Sequence, residues 1–473
     1  MPLYFFDLCL GNYRDKKYSV KKVCRLKEIF SIVKNYSLTM YRKHIKVFLN
    51  NFILEYRVAK IQAIKGFADL FADESRLFTF LEQSARTVFS RYGFTELRTP
   101  LMEYTDLFCR SIGTETDVVQ KEMYTFADSK GRSMSLRPEA TAGVMRAYVE
   151  NNVGAKESVS KFFTTGPMFR HERPQKGRMR QFHQINCECI GPKEPEADAE
   201  MISMLMYFLK YIGIENITLQ LNSLGCPKCR PQYRELLKNW LKSLDTDLLC
   251  EDCKRRMETN PLRVLDCKNE KCKEATKNAP LMLEHACEEC TSHFQTVKNC
   301  LDTQNISYEI NHRLVRGLDY YTRTAFEVVS NNIGAQGSIA GGGRYDGLVE
   351  SIGGPSVAGI GFACGMERLS LLLQAPEAKK LDFYIAALDD SCRAYAFDTA
   401  QSLRRGELSG IMGFEARSIK SAMRQADKSE ARFAVLIGSA ELEQKNLMIK
   451  NMENGSQEAV PFEKAVSYIK EGK

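Results

Sequence analysis

No stretch of this chain stays apolar for the roughly 18 residues that a bilayer crossing needs, so nothing reads as a membrane-spanning helix. The first residues lack the succession of basic, apolar and small-residue regions that marks a secretory signal. Internal repeats and low-complexity tracts are also missing, which sets aside solenoid and unfolded architectures. The body of the chain lacks net charge as well. The whole sequence carries +8, but residues 1–60 hold 13 Lys or Arg against 4 Asp or Glu, and that surplus accounts for all of it. A global field that draws in polyanions is excluded, so any phosphate or nucleic-acid site must be a local cluster. A cytoplasmic location is expected.

What is present is a globular composition on a chain too long for one core. With 44% apolar and 27% charged residues over 473 positions, two or three domains are expected. Eight of the 16 cysteines fall between Cys226 and Cys290 in short-gapped pairs: Cys226 with Cys229, Cys250 with Cys253, Cys267 with Cys272, and Cys287 with Cys290. Disulfides are rare in the cytosol. A short knuckle can present two thiolates to one ion, so four pairs suit up to two zinc sites, with free thiols as the alternative.

Periodicity places the elements. Leu77, Leu81, Ala85, Val88 and Tyr92 recur at three- and four-residue steps and predict an amphipathic helix over 74–92, stopped at Gly93. Residues 94–99 read as a strand closed by Pro100. Residues 160–191 read as a β-hairpin whose first strand, 161–172, is interrupted at Gly166-Pro167. Its loop holds Arg173, Lys176, Arg178 and Arg180, four cations that repel one another unless an anion lies near. Residues 192–310 look like a separate helix-rich insertion. Strand and glycine signals return over 314–365, and alternating strands and helices follow Pro376, with strands over 383–387 and 433–437 and a helix over 394–403.

The hairpin's second strand is the most informative segment. Side chains alternate between faces, so Phe182, Gln184, Asn186 and Glu188 share one surface while His183, Ile185, Cys187 and Cys189 share the other. The same alternation would put Met168, Arg170 and Glu172 together on the first strand. An aromatic ring can stack a base, amides and a carboxylate can bond amines, and Arg170 can fork onto phosphate. Further on, residues 359–369 read as a strand entering a helix near Met366, with Leu369, Leu372 and Leu373 as its buried stripe. Arg368 falls in the first turn, where the helix dipole disfavours a cation; a bound anion, or a carboxylate such as Glu367, would account for it.

Together these segments resemble the class II aminoacyl-tRNA synthetases. Residues 93–108 around Pro100, the run Phe169-Arg170-His171-Glu172 through Gly191, and residues 359–373 with Arg368 stand in the order of that class's three motifs. Leu314-Val-Arg-Gly-Leu-Asp-Tyr-Tyr-Thr-Arg, Ala340-Gly-Gly-Gly-Arg-Tyr-Asp-Gly and Leu136-Arg-Pro-Glu-Ala-Thr-Ala-Gly narrow the likeness to the histidine branch, from about Ile61 to the end of the chain.

The resemblance implies a fold and a set of roles. The fold is α/β: an α+β catalytic domain on an antiparallel sheet (58–191 and 311–376), the insertion (192–310), and a C-terminal α/β anticodon-binding domain (377–473). Arg170 and Arg316 would be the catalytic arginines. Arg170, Glu172, Arg178, Phe182 and Arg368 would bind ATP. Glu139, Thr141, Gln184, Glu188, Tyr320 and Tyr321 would bind histidine. Mg²⁺ would accompany ATP, and the partners would be the histidine tRNA and a second copy of the chain; the resemblance does not require a metal at the eight paired cysteines, where structural zinc rests on their spacing. Ala140 stands where many relatives have glycine. Arg316 and Tyr321 differ in strand parity, so both can face one site only if the chain bends, for which Gly317 is the candidate.

A rival likeness is to synthetase-like regulatory subunits, which lose motif arginines and the C-terminal domain; this chain has Arg170, Arg316, Arg368 and a long segment after Pro376. A synthetase-like sensor kinase would need kinase motifs that are not found. Residues 1–57, basic and aromatic without a steady period, read as an extension outside the natural protein, with Val58 the expected start and an RNA-binding arm the alternative.

Overall fold

The computed structural model describes residues 61–472. The basic leader expected over residues 1–57, with Val58 after it, lies outside them. Everything below belongs to the single compact unit Lys65–Lys473.

Helix α1 (Ala72–Ser90) buries Leu77, Leu81, Ala85 and Val88, as its apolar spacing requires. Gly93 then turns the chain at φ +79°. The strand expected over 94–99 shrinks to β1 (Thr95–Glu96). Leu97 N–H still reaches Phe163 O, but the Thr99 carbonyl is taken by the Arg137 guanidinium, and Pro100 has no N–H to extend a ladder. A small antiparallel sheet follows from β2 (Met102–Tyr104), β3 (Thr125–Ala127) and β4 (Ser133–Leu136), in the order β2-β4-β3, and leads into α2 (Thr141–Glu150).

The hairpin is β5 (Ser160–Phe169) and β6 (Gln181–Gly191). The expected break at Gly166-Pro167 does not occur. Gly166 pairs with Gln184 and Pro167 with His183 without a register shift. Glycine is needed there for another reason: its φ is +146°, and a Cβ would meet Arg137 Nη2 at 2.8 Å. The strand ends at Phe169; Met168 pairs with Phe182 and is buried, and Arg170 and Glu172 follow just beyond the ladder.

The chain continues through α3 (Pro195–Tyr211), β7 (Ile217–Ser223), α4 (Arg230–Lys242), α5 (Glu288–Thr303) and β8 (Glu309–Ile310). Then come β9 (Thr322–Ser330), β10 (Ser338–Arg344), β11 (Ala358–Gly365) and the short helix α6 (Met366–Ser370). The large sheet has the order β1-β5-β6-β11-β10-β9-β7-β8. Its neighbours are antiparallel except at the edges, where β1 joins β5 and β8 joins β7 in parallel. Helices α1, α3 and α5 cover one face: Leu81, Phe89, Leu205, Phe208, Phe294 and Val297 pack against Ile185, Cys187, Phe326 and Phe362.

That packing corrects the reading of 192–310 as a separate insertion. Its two flanks, α3 with β7 and α5 with β8, belong to the main sheet and core, because their apolar faces have no other surface to cover. A second core begins only at Cys226 and gathers Tyr233, Leu237, Leu241, Met257 and Leu265 with six of the cysteines. A buried ionic group fastens the flanks. Arg344 of β10 is fully buried and donates to Asp198 of α3 at 2.5 and 2.9 Å, and His293 Nε2 of α5 lies 2.8 Å from the same carboxylate. Burial alone would raise the Asp198 pKa; the His293 hydrogen bond and the Arg344 charge bring it below the usual value.

The C-terminal domain is a five-stranded sheet of β12 (Phe383–Ala387), β13 (Gly410–Met412), β14 (Phe433–Ile437), β15 (Asn446–Asn451) and β16 (Gln457–Pro461), in the order β13-β12-β14-β15-β16. Helices α7 (Arg393–Arg405), α8 (Ile419–Lys428) and α9 (Ala465–Glu471) pack on it. The all-apolar strands β12 and β14 coincide with the two stretches expected from the sequence.

Candidate active site

The uncovered face of the large sheet and the cysteine-rich segment enclose a cavity of about 1290 Å³. Its floor is set by register. Glu188 of β6 stands opposite Gly361 of β11, which pairs through Gly343 of β10 with Ala325 of β9; one step along, Asn186 stands opposite Ala363, Gly341 and Glu327. The small residues leave room for large ones. A Cβ on Gly361 would sit 2.0 Å from Glu188 Oε2, and one on Gly341 would sit 2.6 Å from Arg316 Nη1 and Nη2. A glycine inside a strand marks such a close approach.

Phe182, Gln184, Asn186 and Glu188 all face the cavity, as their alternation demands. Arg170 leaves the end of β5, donates Nε to Pro138 O at 2.8 Å, and holds its guanidinium carbon 5.4 Å from the centre of the Phe182 ring. Glu172 is in direct contact with Arg178, and its other oxygen lies 4.0 Å from Arg170 Nη1. Arg180 turns away: its Nε donates to Glu172 O within the loop at 3.1 Å, while its Nη1 reaches Lys65 O at 3.4 Å and its backbone N–H reaches Gly66 O at 2.8 Å, both before α1. Of the four loop cations, Arg178 is the one that lines the cavity.

Arg368 lies in α6, which has five residues. Glu367 is not its partner: that carboxylate accepts from His183 N–H at 2.9 Å and approaches His183 Nδ1 at 3.0 Å. Arg368 donates Nη1 to Ser338 O at 2.5 Å and Nε to Gly177 O at 3.3 Å. Its pKa is lowered, first by burial and next by the charge of Arg178, with Arg170 and Arg316 adding to the repulsion. The charges of Arg170, Arg178 and Arg316 thus act on Arg368 within one cavity, an arrangement that favours a multiply charged anion.

The parity difficulty between Arg316 and Tyr321 dissolves because residues 311–321 form no strand; β9 begins at Thr322. Arg316 reaches Glu327 Oε1 at 3.1 Å and lies 5.9 Å from the Tyr321 ring centre. Tyr320 and Tyr321 pack 4.6 Å apart between ring centres, and Tyr320 lies 5.9 Å from Tyr345.

Further along β6 is a buried polar pocket. Thr141 Oγ1 donates to Glu188 Oε1 at 2.7 Å and Tyr345 Oη donates to Glu188 Oε2 at 2.5 Å. Burial raises the Glu188 pKa to about 8, against the pull of those two hydrogen bonds. Glu139 accepts the N–H groups of Thr141 and Ala142 at 2.7 and 2.8 Å, capping α2, and burial raises its pKa as well. Ala140 sits at φ −98°, a conformation open to any L-residue, so the exchange from glycine strains nothing. Gln184 Oε1, Asn186 Nδ2 and Arg316 Nε are buried without a protein partner, so the site holds hydrogen-bonding capacity that the fold leaves unused.

Sequence reasoning missed Tyr345, Glu327, Gly341 and Gly361. The glycine-rich strand carried a signal for the last two; nothing short of the register could place Tyr345 on Glu188.

A family model described as histidyl-tRNA synthetase matches residues 66–369, and one described as an anticodon binding domain matches residues 382–472. The chain is 60% identical over 403 residues to a histidine–tRNA ligase of Nitratidesulfovibrio vulgaris, covering 85% of this chain and 97% of that protein. Against the histidine–tRNA ligase of Oleidesulfovibrio alaskensis it is 58% identical over 411 residues, covering 86% and 99%. The crystal structure of apo S. aureus histidyl-tRNA synthetase superposes with a TM-score of 0.72 at 35% identity, over 87% of this chain and all of that one. With the motif arginines gathered on one cavity and the likeness running through both domains, the chain belongs to the histidyl-tRNA synthetase family.

Proposed function

We infer that the chain is a histidine–tRNA ligase: it activates L-histidine with ATP to histidyl-adenylate and passes the histidyl group to the 3′ end of the histidine tRNA, releasing AMP and diphosphate. One observation carries this reading. A single cavity is lined by Arg170, Arg178, Arg368 and Phe182, by Arg316 over Gly341, and, further along β6, by the Glu188–Thr141–Tyr345 pocket.

Adenylate formation is an in-line attack of the histidine carboxylate on the α-phosphorus of ATP. Two anions must approach and charge grows on the phosphate oxygens, so the guanidiniums of Arg170 and Arg316 stabilise the transition state most. Phe182 stacks on adenine with Arg368 opposite, and Glu172, held by Arg178, meets the adenine edge. Glu139, Thr141 and Gln184 receive the α-amino group. Glu188 and Tyr321 take the two imidazole nitrogens beside Tyr320, a pairing that rejects apolar side chains strongly. Glu172 and Glu327 line the cavity and offer the carboxylate oxygens that would hold Mg²⁺, which would supply charge neutralisation on the phosphates.

The remaining partners rest on surfaces. Leu101, Met102, Tyr104 and Phe126 of the small sheet are exposed, an apolar face fit for a second copy of the chain. Phe397, Ile411, Phe414 and Ile419 are exposed on the C-terminal domain, where unpaired anticodon bases can stack. Among the described residues no helix is long and apolar enough to cross a membrane and every cysteine is a free thiol, which suits a reducing cytoplasm. The eight paired cysteines suit structural zinc.

Histidine-dependent exchange of pyrophosphate into ATP, followed by charging of the histidine tRNA, tests the activity. Folded protein that fails the exchange would refute it.

A further inference from the structure

The eight paired thiols come together as two quartets, Cys226, Cys229, Cys287 and Cys290, and Cys250, Cys253, Cys267 and Cys272, each with its four sulfurs within 4.8 Å of one another. Neighbouring sulfurs are 3.7 Å apart for Cys226 and Cys287, 3.9 Å for Cys229 and Cys290, and 3.8 Å for Cys250 and Cys267. Four thiolates at the zinc–sulfur bond length on a tetrahedron stand about 3.8 Å apart. A disulfide would bring one pair to about 2.05 Å and leave the other two sulfurs unused. Backbone N–H groups point at sulfur in both, Cys226 N to Cys229 Sγ at 3.4 Å and Cys250 N to Cys272 Sγ at 3.1 Å, as in the outer shell of thiolate metal sites. The core of this segment is otherwise small, the situation in which a metal supplies stability that apolar burial cannot.

The quartets sit in different places. The first follows β7 and precedes α5, so it clamps the two ends of the cysteine-rich segment. The second faces the catalytic cavity, where Cys250 and Cys267 form part of the wall. From it two ties run to the irregular stretch that carries Arg316. Arg263, four residues before Cys267, donates Nη1 to the Arg316 carbonyl at 3.2 Å. Arg313 donates to Thr276 O at 3.0 Å and Thr276 Oγ1 at 2.8 Å, and that hydroxyl is itself held on the Cys272 carbonyl at 2.7 Å. Residues 313–316 have no ladder of their own.

We propose that each quartet binds one zinc ion, and that the second ion is a positioning centre for Arg316, holding through Arg263 and Arg313 the backbone from which the guanidinium reaches the cavity. The positioning role rests on the zinc reading and on the assignment of Arg316 to catalysis.

Full-length protein purified under reducing conditions without chelator should carry two zinc ions per chain, and its cobalt form should show the intense d–d bands of tetrahedral thiolate coordination. The double variant Cys267→Ser, Cys272→Ser should carry one zinc and form adenylate in a single turnover on the order of ten- to a hundredfold more slowly. Its affinities for histidine and ATP should stay within about threefold of wild type. Cys267→His, which keeps a zinc ligand, should retain the second ion and recover most of the rate. Arg263→Ala should keep both ions and still show the slow step. Below about 0.3 zinc per chain the metal itself is refuted. Two ions in wild type and one in the double variant, with an undiminished rate in that variant, would refute the positioning role alone. Should that variant not fold, Arg263→Ala decides: normal adenylation with both ions bound overturns the tie to Arg316.

Discussion

Gly341 lies directly beneath the guanidinium of Arg316, so close that a single methyl group on it would meet both Nη atoms at 2.6 Å. The obstructing atoms are the far end of a flexible side chain, so Gly341→Ala should fold and melt close to wild type while displacing the guanidinium. Single-turnover adenylate formation should drop roughly ten- to a hundredfold, with histidine still bound. Arg316→Ala should lose about 3 kcal/mol of transition-state stabilisation, and Arg316→Lys should also be poor because a point charge lacks the planar fork. A Gly341→Ala enzyme with normal single-turnover kinetics would show that the Arg316 position is not critical.

Glu188 gives a pH prediction. The folded protein holds its proton up to about pH 8, whereas an ordinary glutamate loses it near 4.5. Between those values the folded state binds the extra proton, so raising the pH through this window removes stability. Glu188→Gln abolishes that titration. The melting temperature of the variant, relative to wild type without substrate, should therefore rise between pH 5 and pH 8. A constant difference across that range would contradict it.

The same variant bears on selectivity. Glu188→Gln should weaken histidine binding far more than ATP binding, since Glu188 lies in the Thr141–Tyr345 pocket and not among the four arginines. Tyr345→Phe removes one of the two donors to Glu188 and should move histidine affinity in the same direction by a smaller amount, about 1 kcal/mol. Calorimetric titration with each substrate separates the cases; equal losses for both would make Glu188 structural.

Buried charge predicts a stability effect away from the chemistry. Asp198→Asn takes from the fully buried Arg344 the nearer of its two carboxylates and leaves Asp346 at 3.1 Å, which costs up to about 3–5 kcal/mol. Because Asp198 and His293 bring α3 and α5 onto β10, denaturant unfolding should shift markedly. A midpoint within experimental error of wild type would show that Asp346 alone suffices to balance Arg344.

Local rules carried the reading where one element decides the geometry. The alternation of β6 put Phe182, Gln184, Asn186 and Glu188 on the cavity, and the apolar runs of β12 and β14 set their own limits. Reading failed where partners distant in sequence decide. Gly166-Pro167 has the composition of a break, yet the ladder runs through it because Arg137 occupies the space beside the glycine. Residues 192–223 and 288–310 looked like parts of an insertion because nothing local tells a helix covering its own domain from one covering a sheet built 100 residues later. Cysteine spacing indicated paired ligands, but which pair joins which depends on the fold bringing Cys287 back to Cys226. Arg316 and Tyr321 reach one cavity despite their different parity because the chain between them is irregular and forms no strand.

The crowding of cations yields the last prediction. Arg170, Arg178, Arg316 and Arg368 share one cavity, and Arg368 is disfavoured first by burial and then by Arg178. An anion that lies among them relieves both costs, so ATP or pyrophosphate should raise the melting temperature of wild type, and less so at high salt. Arg368→Gln keeps a donor near the Nε position for Gly177 O while removing one charge. It should weaken ATP by about 1.5–3 kcal/mol, the value of a hydrogen bond to a charged group, which is roughly ten- to a hundredfold in KM. Histidine affinity should change little, because none of its proposed partners touches Arg368. The gain in melting temperature from pyrophosphate should shrink in the same variant. If Arg368→Gln binds ATP normally, the guanidinium is structural, pinning β10 and the hairpin loop through contacts that include Ser338 O and Gly177 O.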